Sequence, residues 1–166
     1  MRFSVGFFPS NRYGCTKPRL DRTPSDQTHN LNSAREGTDM TRTGGTPIIL
    51  VIEDYADSRM LLSSLLRAKG YKVVEARDGK EGLQQANRVP PDLILMDLAM
   101  PEMDGIEATR HLRERHTLAH IPIFVMSAYA TADVKQDAIA AGCAEVFPKP
   151  LDLEALLTKI KTTLGA

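Results

Sequence analysis

Five polar side chains stand at the ends of apolar runs in this sequence. Glu53 and Asp54 follow the first run, Asp97 ends a later one, Ser127 ends the next, and Lys149 follows the last. Carboxylates that crowd together repel one another, and a hard cation such as Mg²⁺ relieves that repulsion. A lysine and a hydroxyl beside them can hold phosphoryl oxygens. If these groups meet in the fold, they match what phosphoryl transfer to an aspartate requires.

Asp97 is the candidate nucleophile. Leu93, Ile94, Leu95 and Met96 form a continuous apolar run that is typical of a strand buried on both faces of a parallel sheet. Asp97 is then the residue at the carboxyl end of that strand, where open α/β sheets bind their ligands. Considered alone, Asp97 is equally well explained as a turn residue or a helix cap.

The elements that must position these groups alternate along the chain from Pro47 onward. Alternating strand and helix patterns predict an α/β fold, a doubly wound parallel sheet of five strands with five helices. In such a sheet the five polar side chains converge at one edge. In the first helix, Met60, Leu61, Leu65 and Ala68 are predicted to form the apolar stripe. The predicted strands cover 48–52, 71–75, 93–97, 121–127 and 144–147, and the predicted helices cover 58–69, 78–89, 106–116, 132–141 and 152–164.

Composition excludes several other classes of protein. The chain of 166 residues is long enough for one domain with a core, and its 21 basic residues balance its 21 acidic ones. This balance gives no reason to expect direct DNA binding. No apolar run approaches the roughly 18 residues of a membrane helix, so membrane insertion is not expected. The two cysteines, Cys15 and Cys143, lie in segments of different character, which argues against a disulfide framework and fits a cytoplasmic protein.

Residues 1–46 are predicted to be a disordered polar tail. They carry seven basic residues and four acidic ones, a net charge of 7 − 4 = +3, and they show no helix or strand period. Such a segment buries too little apolar surface to offset the entropy of ordering it. An alternative is that translation starts at Met40, which would make most of this segment an artefact of the gene assignment.

The chain from Pro47 to Ala166 resembles the receiver domain of two-component response regulators. The resemblance rests on the pair Glu53-Asp54, on Asp97 within Leu-Met-Asp-Leu-Ala-Met-Pro-Glu-Met-Asp-Gly, on Ser127-Ala128 and on Lys149-Pro150. It implies a flavodoxin-like fold of the receiver type. It also implies a phosphorylation-activated signalling switch with no separate enzymatic activity beyond its own phosphoryl transfer and slow autodephosphorylation.

The same resemblance assigns roles to the candidate residues. Asp97 accepts the phosphoryl group from a sensor histidine kinase or a histidine phosphotransfer protein. Asp54, Asp97 and the backbone carbonyl of Ala99 bind Mg²⁺, and Glu53 assists through water. Lys149 pairs with the acids and then with the phosphoryl oxygens, Ser127 moves to hydrogen-bond the phosphoryl group, and the Lys149-Pro150 bond is cis.

The sequence departs from the family pattern at two residues and in its length. Glu53 stands where the family more often has Asp, which suggests altered metal binding. Val146 stands three residues before Lys149, where family members commonly place a switch aromatic. This suggests weaker coupling to the output face, which in the family is formed by the fourth helix, the fifth strand and the fifth helix. Because the chain ends with the fifth helix, we expect a stand-alone, chemotaxis-regulator-like receiver that acts on an unknown downstream protein target.

Three rival classes use parts of the same pattern. A haloacid-type phosphatase needs a second Asp two positions after the nucleophile, where this chain has Ala99. A flavodoxin-like cofactor binder needs an anion-binding loop after the first strand, and Glu53-Asp54 would repel the anion. The closest rival is a receiver-like docking module that works without phosphorylation, and the sequence leaves that alternative open.

Overall fold

The computed structural model describes residues 45–165, which form one five-stranded parallel sheet in the order β2-β1-β3-β4-β5 with five helices. The predicted fold class is therefore confirmed. The predictions of a disordered tail and of a start at Met40 concern residues outside this range, apart from residues 45 and 46. The strands are β1 Ile48–Ile52, β2 Lys72–Ala76, β3 Leu93–Asp97, β4 Ile123–Ser127 and β5 Glu145–Pro148; the helices are α1 Ala56–Ala68, α2 Gly79–Arg88, α3 Gly105–Arg113, α4 Ala132–Ala141 and α5 Leu153–Leu164.

The sheet is covered on both faces, which explains the continuous apolar runs of its central strands. Every residue of β3 and of β4 is buried. On one face, Leu83 and Leu112 bring α2 and α3 into a cluster that α4 also joins. On the other face, Leu66 of α1 and Ile160 of α5 form a second cluster. The sheet is thus a rigid platform whose strand ends are fixed relative to one another.

Strand register brings the predicted site residues to one edge of the sheet. Ile52 of β1 lies opposite Met96 of β3, so Glu53 and Asp97 each come one position after this pair. Asp97 in turn lies opposite Met126 of β4, one position before Ser127. Ser127 lies opposite Pro148 of β5, the residue before Lys149. The predicted convergence of these four residues is confirmed.

The predicted apolar stripe of α1 is wrong for three of its four residues. Leu62, Ser63 and Leu66 are the buried residues of this helix, whereas Met60 is 62% exposed and Leu61 is 70% exposed. Ala68 is also exposed, and Leu65 is half-buried. The helix itself carries apolar side chains on several sides, so their spacing alone does not show which face packs on the sheet.

Four of the five helices begin at a side-chain cap that satisfies a free backbone N–H of the first turn. The capping residues are Asp78, Asp104, Thr131 and Asp152, and each accepts a hydrogen bond from an amide two or three residues later. Helix α1 has no such cap; it begins at Ala56, two residues after Asp54. Within residues 45–165, no helix is long and apolar enough to cross a membrane.

Candidate functional site

Three carboxylates meet at the carboxyl ends of β1 and β3. Glu53, Asp54 and Asp97 each offer an oxygen, and these oxygens all lie within 4.8 Å of one another. Glu53 and Asp97 are buried, while Asp54 is exposed to solvent at the rim. The cluster is therefore open on one side, where a ligand can reach Asp97.

Lys149 supplies the positive charge of the site. Its Nζ donates a hydrogen bond of 2.8 Å to Glu53 Oε2 and lies 3.1 Å from Asp97 Oδ1. The Lys149-Pro150 peptide bond is cis, as the resemblance implied. One lysine thus pairs with two buried acids. It follows β5, which lies two strands away from β3 in the sheet.

Burial and charge shift the protonation of this pair. Burial raises the pKa of Glu53 above its ordinary 4.5; the hydrogen bond from Lys149 opposes that shift, and the neighbouring Asp97 adds to it. Desolvation acts to lower the pKa of Lys149, but its hydrogen bonds to Glu53 and Asp97 outweigh it, so the pKa lies above the ordinary 10.5. Three acids and one lysine leave the site with a deficit of positive charge.

The donor set of this cluster fits a hard divalent cation. Three carboxylates with oxygens within 4.8 Å of one another can share one ion, and an exposed rim leaves room for the waters that Mg²⁺ retains. The set holds no cysteine or histidine, so it does not resemble a zinc site.

Ser127 presents a hydroxyl at the end of β4. Its Oγ accepts a hydrogen bond of 3.1 Å from the Tyr129 amide, and its carbonyl accepts one of 2.7 Å from the Lys149 amide. Because a hydroxyl has one proton and two lone pairs, the Tyr129 contact leaves the Ser127 proton available to donate. Ala128 follows it and is exposed, so it places no bulk over the hydroxyl.

The loop between β3 and α3 is held tightly against Asp97. The Gly105 amide donates to the Leu98 carbonyl at 3.0 Å, and a Cβ at Gly105 would lie 2.5 Å from the Asp97 carbonyl oxygen. Met100 is buried and anchors the loop in the core. Ala99, between these fixed points, is exposed two residues after Asp97. Only a glycine allows the first turn of α3 to approach the nucleophile strand this closely.

Residue Val146 lies on the core side of β5 behind the site. It is buried opposite Val125 and belongs to the cluster under α2, α3 and α4. The adjacent Phe147 faces the opposite side, where its ring centre lies 5.6 Å from that of Phe124. Since neighbouring residues of a strand face opposite sides, Phe147 cannot replace an aromatic ring at position 146.

Arg59 is a site residue that the sequence reasoning missed. Its Nη1 donates to the carbonyl oxygens of Glu53 at 2.7 Å and Asp54 at 3.3 Å. The sequence feature that could have indicated it is that Arg59 is the one arginine in the first two turns of the helix after Glu53 and Asp54.

Comparisons with known proteins identify a family that this chain resembles. The sequence model of the family described as response regulator receiver domain matches residues 49–161. The polar-differentiation response regulator DivK of Brucella ovis is 33% identical over 120 residues, which cover 72% of this chain and 98% of the relative. The DivK of Brucella anthropi is 33% identical over 117 residues, covering 70% of this chain and 95% of that protein.

Solved structures also resemble the described domain. The chemotaxis protein CheY4 of Vibrio cholerae superposes with a TM-score of 0.69 at 28% identity, covering 72% of this chain and 99% of that one. The receiver domain of the sensor histidine kinase PA1611 of Pseudomonas aeruginosa gives a TM-score of 0.68 at 29% identity, covering 74% and 100%. The PA1611 domain has a magnesium ion coordinated in its active site cleft.

Proposed function

Because this chain belongs to the response regulator receiver domain family, we propose that it is a phosphorylation-activated switch whose phosphoryl acceptor is Asp97. The observation that carries the proposal is the contact of Lys149 with Asp97 at 3.1 Å inside a cluster of three acids. An acid held next to a lysine at an open sheet edge is arranged for transfer of an anionic group. The protein has no separate enzymatic activity in this proposal.

In the transfer step, a carboxylate oxygen of Asp97 attacks the phosphorus of a phosphohistidine on the donor protein. The new O–P bond forms as the N–P bond to the histidine breaks, and the imidazole leaves with the electron pair of that bond. The product is an aspartyl phosphate. Hydrolysis of the aspartyl phosphate by water returns Asp97 and inorganic phosphate, which resets the switch.

Mg²⁺ is the proposed cofactor, and when bound it neutralises charge on the phosphoryl oxygens. Asp54, Asp97 and the Ala99 carbonyl would hold it, and Glu53 would act through a metal-bound water. Support comes from the separation of the three carboxylates, at most 4.8 Å between their oxygens, and from the magnesium ion in the related PA1611 domain.

Lys149 and Ser127 bind the oxygens of the phosphoryl group that Asp97 carries. After transfer, Lys149 pairs with a phosphoryl oxygen that takes over the negative charge of Asp97. The Ser127 proton, which the Tyr129 contact leaves free, donates to another phosphoryl oxygen. Movement of Ser127 toward the phosphoryl group is the first change that the output face experiences.

The proposed partners are a sensor histidine kinase or histidine phosphotransfer protein as donor and a downstream protein as target, in the cytoplasm. Tyr55, which follows Asp54, and Met60 and Leu61 of α1 are exposed apolar side chains, and we propose them as contacts for the donor. Phosphorylation-independent docking is the alternative function.

The decisive experiment is intact-mass spectrometry after incubation with acetyl phosphate and Mg²⁺. Wild type should gain one phosphoryl group that hydroxylamine removes, and Asp97→Asn should gain none. Asp137→Asn, which changes an exposed acid on α4, is the matched control and should behave as wild type. An equal adduct in Asp97→Asn would disprove the assignment, and no adduct in any variant, with a histidine kinase also ineffective, would favour the docking module.

A further inference from the structure

Arg59 joins the first helix to the backbone of residues 53–55, the loop between β1 and α1, which we call the acidic loop. Its Nη1 reaches two successive carbonyl oxygens, 2.7 Å to Glu53 and 3.3 Å to Asp54. These are the two residues whose side chains enter the carboxylate cluster. Hydrogen bonds from a charged donor are about twice as strong as neutral ones, so this contact restrains the backbone of both residues.

The guanidinium of Arg59 is itself held in place from β2. Its Nε lies 3.7 Å from Glu75 Oε2, and Glu75 Oε1 accepts a hydrogen bond of 2.7 Å from Arg67. Arg67 also reaches the Val73 carbonyl. The side chain of Arg59 is only 20% exposed, whereas that of Arg67 is 49% exposed. Glu75 therefore orients Arg59 between β2 and the acidic loop.

We propose that Arg59 is a positioning residue that sets the conformation of the acidic loop for cation binding. The inference rests on the proposed function, since it concerns the same Mg²⁺ site. With the Glu53 and Asp54 carbonyls held by Arg59, the two carboxylates project toward Asp97. Lys149 holds the Glu53 side chain, but among the described contacts Arg59 is the side chain that hydrogen-bonds the backbone of this loop, and the start of α1 has no side-chain cap.

Electrostatics and positioning predict opposite results for the loss of Arg59. Removing a positive charge near three carboxylates would, by Coulomb attraction alone, strengthen the binding of a cation. Losing a hydrogen bond that orients metal ligands weakens metal binding, typically by 10-fold to 100-fold. The sign of the change in Mg²⁺ affinity therefore separates the two roles.

The test is calorimetric titration of MgCl₂ into unphosphorylated full-length protein. Arg59→Gln should bind Mg²⁺ at least about tenfold more weakly than wild type. Arg67→Gln is the matched control, since it removes an equal charge from the same helix and the same Glu75 without touching the loop. Its affinity should stay within about twofold of wild type, as expected where only a screened surface charge is lost. Arg59→Lys, which keeps the charge and can still donate to one carbonyl, should give an intermediate affinity.

Unchanged or tighter Mg²⁺ binding in Arg59→Gln would overturn the inference, as would equal weakening in Arg67→Gln. If Arg59→Gln does not fold, Arg59→Lys decides the question by the same titration, and wild-type affinity in that variant would overturn the inference. The proposed function fails separately, by absence of an adduct on Asp97 or of any Mg²⁺ binding to wild type. Asp54→Asn identifies the site, because its binding should be lost.

Discussion

Lys149 Nζ lies 2.8 Å from Glu53 Oε2, although the two residues are 96 positions apart in the chain. The contact joins β5 to β1 across the two strands between them. Lys149 is the only basic residue in the described ion pairs of Glu53 and Asp97.

Replacing Lys149 should destabilise the protein in a way that Mg²⁺ corrects. Lys149→Met leaves two buried acids without a partner, and we expect a loss of about 3 kcal/mol in the free energy of unfolding in EDTA, the low end for a broken buried pair because the Lys149 side chain is 27% exposed. Because pairing raises the pKa of Lys149, its contribution is complete at neutral pH and is lost only as the pH rises above 10.5 through the folded value. Guanidinium denaturation with and without MgCl₂ measures the loss of stability and its correction by Mg²⁺.

The matched control for that variant is Lys159→Met. Lys159 makes an ion pair of the same length, 2.8 Å, with Glu145, but both side chains are well exposed. Its loss should cost less than about 1 kcal/mol and should not respond to Mg²⁺. If Mg²⁺ raises the free energy of unfolding of both variants equally, the cation does not act at the acid cluster.

Glu53→Gln should change the pH dependence of stability. Burial raises the pKa of Glu53, so the folded state holds this proton more tightly than the unfolded state does. The wild-type free energy of unfolding therefore contains a term that falls as the pH rises from 4.5 toward the folded pKa. Urea denaturation in EDTA across this range should show a flatter profile for Glu53→Gln. Identical profiles would mean that Glu53 keeps its ordinary pKa.

Ser63→Ala should stabilise the protein. Ser63 is fully buried in α1, and its hydroxyl has no hydrogen-bond partner among residues 45–165. Removing an unsatisfied buried hydroxyl should raise the free energy of unfolding by about 1 kcal/mol, beyond the small gain in helix propensity. Ser64→Ala, at an exposed position of the same helix, gains the propensity alone and is the control for thermal denaturation. An equal gain in both variants would show that the Ser63 hydroxyl has a partner in solution.

Gly105→Ala should damage both the fold and the site. The added Cβ would lie 2.5 Å from the Asp97 carbonyl oxygen and 3.0 Å from Leu98 Cα, and backbone atoms cannot move aside as a side chain can. We expect a loss of about 1–3 kcal/mol and slower acceptance of phosphate by Asp97. Gly45→Ala adds the same methyl group where nothing lies within 4 Å, and it should change neither quantity.

The sequence predicted the sheet and the site better than it predicted the first helix. Strands β1 and β3 are buried on both faces, so their apolar runs are continuous, and the acids at their ends form the carboxylate cluster of the candidate site. Helix α1 carries apolar residues on several sides, including Leu61 and Leu62, so no single stripe marks its buried face. Arg59 escaped prediction because its partners are backbone carbonyls, which leave no pattern of residue types. Contacts between side chain and backbone become visible only once the fold places them.

Helix α3 ends earlier than its sequence pattern indicated, and the reason is tertiary. It was predicted to extend to His116 but ends at Arg113. The Arg113 guanidinium donates to the carbonyls of Gly142 at 3.0 Å and Ile121 at 2.9 Å, and the buried Leu118 draws the following turn back to the core. All three partners lie beyond the helix, and Gly142 is 29 residues away, so local helix propensity could not indicate these contacts.

Val146→Tyr should strengthen the coupling between phosphorylation and the face formed by α4, β5 and α5. Val146 is buried beside Val125, and its β-branched side chain has essentially one rotamer, so it cannot swing as a ring does when Ser127 moves. Coupling energies are typically about 1–3 kcal/mol, and we expect wild type to lie near the low end. Hydrogen exchange of this face with and without acetyl phosphate measures the difference without any partner protein.

Two variants in that measurement separate the effect of an aromatic ring at position 146 from the effect of added side-chain volume. Val146→Leu adds volume at the same buried position without an aromatic ring, so it should leave the exchange difference near the wild-type value. Val146→Tyr should enlarge the difference, while phosphorylation of Asp97 proceeds at a similar rate because no atom of residue 146 belongs to the acid cluster. If wild type already shows a large difference across α4 and β5, or if tyrosine and leucine act alike, Ser127 transmits the signal without a ring at this position. Transmission would then depend on the Ser127 backbone, whose carbonyl accepts the Lys149 amide at 2.7 Å and ties β4 directly to the end of β5.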